Sequence, residues 1–251
     1  MSSVSEAKIH TQNVDYNVDG KTYQGYLAYD DAIKEKRPGI LIVHEWWGVN
    51  DYPKKRAEQI AQLGYIAFAA DMYGKGIVAK SPDEAGKLAG TVRKDPSQMR
   101  KLINAALQLL KENPKVDPSN VAAMGYCFGG TVALELARSG ADIKGVCTFH
   151  ATLDTKAPED AKNIKAKILV CTGADDKAVP PEQRQAFQKE MDAAGVDWEM
   201  NIYSGAVHSF TNPASGNDPS KGVAYNEKAD KRSWEAMKAF YSEIFGKIKN
   251  K

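Results

Sequence analysis

The chain has 251 residues, of which 43% are hydrophobic and 26% charged, and its formal net charge is +2. That size and balance fit one large soluble α/β domain. There is no basic block and no apolar run of membrane-spanning length, which speaks against nucleic acid or a bilayer as partner. Three cysteines without framework spacing argue against a disulfide scaffold and agree with a reducing cytoplasm. The polar start, Met1-Ser2-Ser3-Val4-Ser5-Glu6, lacks the apolar stretch of a secretory signal. We expect a single domain over residues 1–251, with residues 1–12 a flexible or peripheral N-terminus.

In chain order, Val14 to Tyr29 reads as a β-hairpin about Asp19-Gly20, a favoured tight-turn pair. Gly39 to Val43 is a continuous apolar run, as in a strand covered on both faces. A helix is predicted over Tyr52 to Leu63, closed by Gly64, and a buried strand over Tyr65 to Ala70. Residues 74–94 read as a loop with a weak helix. Asp95 then caps a helix with Pro96 in its first turn and Met99, Leu102, Ile103, Ala106 and Leu110 on one face.

Further strands are predicted over Val121 to Met124, Ile143 to Phe149, and Ile168 to Cys171, and a less buried one over Trp198 to Tyr203. Helices are predicted over Thr131 to Arg138, Gln183 to Ala194 and about Asn226 to Phe245, the last with Trp234, Met237, Tyr241 and Ile244 on one side. Asn212 to Gly222 reads as a surface loop. Strands alternate with helices through the body of the chain. That predicts an α/β fold with a mostly parallel sheet, helices on both faces, and an N-terminal hairpin.

Reactive groups in such a sheet gather at the carboxyl ends of the strands. Gly125-Tyr126-Cys127-Phe128-Gly129-Gly130 has the form of a nucleophile elbow, with a thiol where serine is usual. Asp175 and Asp176 follow the Ile168–Cys171 strand, and either could serve as the acid. His208 follows the Trp198–Tyr203 strand. His44 and His150 also sit at strand ends and are its rivals, but only His208 follows the acid in the order nucleophile, acid, histidine. A thiol near its ordinary pKa of ~8.5 needs a base, histidine titrates in the right range, and an aspartate orients the imidazole. Cys147 and Cys171 lie inside apolar strands and read as core.

Several motifs together resemble the dienelactone hydrolase family, a branch of the α/β-hydrolase fold. They are Gly125 to Gly130, the G-x-x-D-x-x-V-P pattern of Gly173 to Pro180, His208-Ser209-Phe210, His44-Glu45-Trp46-Trp47-Gly48, and Asp71-Met72-Tyr73. The resemblance selects Asp176 over Asp175. It implies that Glu45 hydrogen-bonds the resting thiol and helps switch it to thiolate. It further implies an oxyanion hole from the backbone N–H groups of Trp46 and Phe128.

The resemblance has gaps. Where the best-known members hold a carboxylate with two arginines, this chain has Lys75 and Asn212, so selection for a carboxylated lactone is not expected. Trp47, Tyr73, Lys75, Phe210 and Asn212 are the candidate substrate contacts. The resemblance thus implies a cytoplasmic, cofactor-free and metal-free hydrolase of small esters or lactones, monomeric or a small homo-oligomer. Amidotransferase-like cysteine hydrolases share the elbow but lack the later motifs. A ligand or oxidant sensor using Cys127 without turnover is the alternative outside enzymes.

Overall fold

A computed structural model describes residues 8–246. Contacts divide the chain into two compact units. One runs to Ala122 and takes in the segment from Phe245, and the other is Ala123–Ile244.

The first unit holds strands β1 (Ile9–Val18), β2 (Lys21–Asp30), β3 (Arg37–Val43) and β4 (Ile66–Ala70) and the opening of β5 (Val116–Tyr126). Their order is β1-β2-β4-β3-β5. β1 pairs antiparallel with β2, and β2 with β4, whereas β3 and β4 run parallel. The hairpin begins earlier than the sequence suggests. Residues 1–7 lie outside the described residues; Ile9–Gln12 are strand at the periphery of the sheet and pair residue for residue with Asp30 to Leu27. His10-Thr11-Gln12 are exposed on an edge strand, where backbone pairing rather than burial does the ordering.

Helix α1 (Asp51–Gln62) is capped by the Asn50 side chain, which accepts from the Tyr52 N–H. Helix α3 (Pro96–Glu112) starts as predicted, with Asp95 accepting from the Gln98 N–H, and buries Met99, Leu102, Ile103, Ala106, Leu107 and Leu110. Between them residues 82–94 form a full helix, α2 (Pro82–Lys94), rather than a weak one. Ser81 accepts from the Glu84 N–H and Pro82 occupies the first turn, which offsets the helix-weakening Gly86 and Gly90.

The second unit holds the end of β5, then α4 (Phe128–Arg138), β6 (Gly145–Phe149), β7 (Lys167–Gly173), α5 (Pro181–Ala194), β8 (Trp198–Tyr203) and most of α6 (Glu227–Phe245). The order is β5-β6-β7-β8, with β6, β7 and β8 parallel. β6 and β7 are continuously buried apart from Lys167 at the start of β7, whereas β8 is an edge strand with exposed Glu199 and Ile202. The buried side of α6 is rotated slightly from the predicted stripe. Ser233, Met237, Phe240 and Tyr241 are covered, while Trp234 and Ile244 flank them half-buried.

Among the described residues the chain thus has eight strands in a mostly parallel sheet, with helices in the crossovers. With a sharp turn between β5 and α4, this is the α/β-hydrolase fold.

Candidate active site

Cys127 sits at the turn from β5 to α4 with φ +53 and ψ −120, in the left-handed region that L side chains avoid. The neighbouring glycines explain how so tight a turn closes. A Cβ on Gly125 would stand 2.1 Å from the Gly129 carbonyl oxygen, and one on Gly130 would meet Ala151 Cβ at 2.4 Å. The turn is tied to the next strand by the Cys127 N–H donating to Phe149 O at 2.9 Å. Tyr126 stacks on Phe149 with ring centroids 4.7 Å apart. The thiol therefore stands, half-exposed, at the N-terminus of α4, where the helix dipole favours negative charge.

His208 Nε2 lies 3.0 Å from Cys127 Sγ. On its other side, His208 Nδ1 lies 2.9 Å from Asp176 Oδ2. Asp176 is buried and Asp175 is exposed, so the geometry separates the two aspartates that the strand position alone left open. The second oxygen of Asp176 accepts from the Ala178 N–H at 2.9 Å. Arg184 steadies this loop by donating to Val179 O at 3.0 Å. Gly173 lets the loop approach its neighbour, since a Cβ there would stand 2.3 Å from Ala206 O.

The loop carrying His208 is held by the chain just before α6. The His208 N–H donates to Gly222 O, the Ala224 N–H to His208 O, and the Asn226 N–H to Phe210 O. Burial by itself pushes the His208 ring toward its neutral form. The negative charges available at Cys127 and Asp176 outweigh that effect and raise its pKa to about 10. The surroundings of the His208 ring therefore favour its protonated form.

The other predicted residues fall as follows. Phe128 opens the first turn of α4. Phe210 is fully buried, its ring against His150 and Tyr203, which is a packing position. Asn212 is buried and its side chain accepts from the Ala214 N–H, so its amide oxygen caps a turn. In the first unit, Glu45 is 3% exposed at the end of β3. Its carbonyl meets His44 Nδ1. Trp46 and Trp47 pack edge to face, and the Tyr73 hydroxyl donates to Trp46 O at 2.9 Å. Lys75 is paired with Asp15 on β1, with both side chains close to half exposed. His44, a rival base, is buried with its pKa lowered by desolvation, and its Nε2 accepts from the Met72 N–H.

One feature had no strong sequence signal. Arg138 is fully buried at the end of α4. Its guanidinium forks onto Glu190 of α5, at 2.7 and 2.9 Å, and also reaches Glu135 Oε1 and Leu153 O. Only a basic residue in a helix's last turn marked it in advance.

Fold and site together define an α/β-hydrolase with a cysteine at the elbow. The chain belongs to the Dienelactone hydrolase family, whose pattern matches residues 23–245. Among solved structures, "m3DLH" is 38% identical with a TM-score of 0.91, covering 94% of this chain and 99% of that one. A second, titled a dienelactone hydrolase-like promiscuous phosphotriesterase P91 from metagenomic libraries, is 38% identical with a TM-score of 0.89, covering 96% and 100%. A relative from Aquifex aeolicus bearing a provisional carboxymethylenebutenolidase name is 28% identical over 234 residues, 92% of this chain and 97% of its own length. Family membership supports a hydrolase acting on lactone or ester substrates. Among the described residues no helix is long and apolar enough to cross a membrane.

Proposed function

We propose that the protein hydrolyses a small carboxylic ester or lactone, with Cys127 as nucleophile, His208 as general base and acid, and Asp176 as the orienting carboxylate. The observation that carries this reading is the unbroken row of contacts from Cys127 Sγ through both nitrogens of His208 to Asp176 Oδ2. In the proposed reaction the thiolate attacks the carbonyl carbon and the imidazolium protonates the departing alkoxide. A thioester acyl-enzyme remains. His208 then takes a proton from water, the hydroxide attacks the thioester, and the thiolate leaves with the acid released. The Phe128 N–H, at the start of α4, serves the developing oxyanion. The roles that the family resemblance implies for Glu45 and for the Trp46 N–H travel with this proposal.

The reaction as written needs only these side chains and water. We extend the reading to a cytoplasmic enzyme acting on a free small molecule, as a monomer or small homo-oligomer. A neutral substrate is the class we favour, because Lys75 and Asn212 stand in the sequence where the best-known members of the family carry arginines. The similarity to the promiscuous phosphotriesterase P91 suggests a second substrate class, phosphotriesters, to be assayed beside carboxylic esters.

Cys127→Ala should show neither burst nor turnover on a short aryl ester, a loss of about 10⁴-fold or more. A near-normal rate in that variant overturns the assignment. Fast thiol alkylation in the unaltered protein without any hydrolysis would favour a sensor instead.

A further inference from the structure

His150 directly follows β6 and has no part in the chemistry proposed above, yet it meets the loop of the proposed base at three residues. Its ring lies edge to face with His208, centroids 5.3 Å apart, and with Phe210 at 5.2 Å. Its Nε2 is 2.8 Å from Thr211 Oγ1. Its backbone N–H donates to Cys171 O at 2.8 Å, so the residue is anchored to β7 while its ring faces the loop. The residue before it, Phe149, supplies the carbonyl that accepts from the Cys127 N–H. The end of β6 therefore touches the nucleophile's turn through one residue and the histidine loop through the next.

The backbone reinforces the point. His150 has φ +42, a left-handed conformation that a bulky residue adopts only when its surroundings hold it there. Among the described residues, four besides glycine have positive φ. Asp19 lies in the hairpin turn, and the other three are Cys127, His150 and Ser209. Unfavourable backbone is thus concentrated where the thiol and the imidazole are presented.

We infer that His150 is a positioning residue for His208, resting on the reading of His208 as the base. The hydrogen bond to Asp176 fixes one edge of the His208 ring but leaves rotation about that bond. The ring of His150 blocks one flank of this rotation, and its bond to Thr211 keeps the blocking ring in place. Nε2 then stays directed at Sγ. A site of this kind loses rate when its supporting residues are loosened, even with the reacting groups intact.

The test compares His150→Asn, which tolerates positive φ but deletes the ring, with His150→Phe, which keeps a ring but loses the bond to Thr211. His150→Asn should lower kcat on a short aryl ester roughly 10- to 100-fold with KM within about twofold. The downfield proton resonance of His208 Nδ1 should broaden or vanish. His150→Phe should recover the resonance and bring kcat back to within severalfold of the unaltered protein.

Unchanged kcat and an unchanged Nδ1 resonance in His150→Asn would overturn the inference. If that variant does not fold, Thr211→Val takes its place, with a severalfold fall in kcat expected and an unaltered kcat contradicting the inference. Activity in Cys127→Ala would sink the underlying reading. An inert Cys127→Ala beside a fully active His150→Asn sinks only the role of His150.

Discussion

Two buried aspartates follow parallel strands in this molecule, Asp71 after β4 and Asp176 after β7, and they are put to different uses. Both oxygens of Asp71 go to backbone donors: Oδ1 accepts from the N–H groups of Tyr73 and Gly74, and Oδ2 from that of Gln24. Its own carbonyl accepts from the Tyr16 hydroxyl at 2.8 Å. That carboxylate fixes a turn against the hairpin. Asp176 gives one oxygen to its own loop, the Ala178 N–H, and keeps the other for an imidazole. Residue type and burial are the same at both places. What differs is whether a lone pair is left over for a titratable partner, and that is a better guide to chemistry than burial itself.

Substituting amide for carboxylate at each place tests this contrast. Asp176→Asn offers His208 an amide that no longer favours the working tautomer, and kcat should fall by about 10³- to 10⁴-fold in steady-state assays. A loss below tenfold would place Asp176 with Asp71 among the structural carboxylates. Asp71→Asn should behave in the opposite way. Its NH₂ would face a backbone donor, at a cost of about 1–3 kcal/mol in urea unfolding, with kcat close to that of the unaltered enzyme.

A third effect is on the pH dependence of stability. The pKa of His208 is raised in the folded state, so its contribution is complete below the unfolded value of about 6.5 and is lost as pH rises through about 10. Unfolding midpoints should therefore decline across that window by an increment that His208→Asn lacks. Identical profiles for the two proteins would contradict the imidazolium form.

Much of this candidate site was legible because Cys127, Asp176 and His208 each come shortly after a strand, within a short, spaced motif. The steric demands at Gly125 and Gly173 are of the kind those motifs encode. The choice of Asp176 over Asp175 needed either the family pattern or the fold, since composition cannot tell a buried loop carboxylate from an exposed one. Other features were hidden for physical reasons. β1 begins at Ile9 without an apolar signal because an edge strand is ordered by pairing. β5 runs from Val116 through the polar Asp117-Pro118-Ser119-Asn120, where only its later half is apolar enough to announce a strand. α2 was underestimated because Gly86 and Gly90 obscured a well-capped start. His150 read only as a rival base, since edge-to-face ring contacts between distant residues leave no trace in spacing.

The forked bond from Arg138 to Glu190 has a consequence for redesign. Helix α4, which opens directly after Cys127, ends on it, and the helix it grips begins a few residues after Asp176, at Pro181. Pulling Glu190 away from this fully buried guanidinium would leave the Glu190 carboxylate unpaired in a nearly buried position. Attempts to reshape the surroundings of Cys127 by tilting α4 alone will meet that resistance, whereas changes that shift α4 and α5 as a pair leave the fork intact.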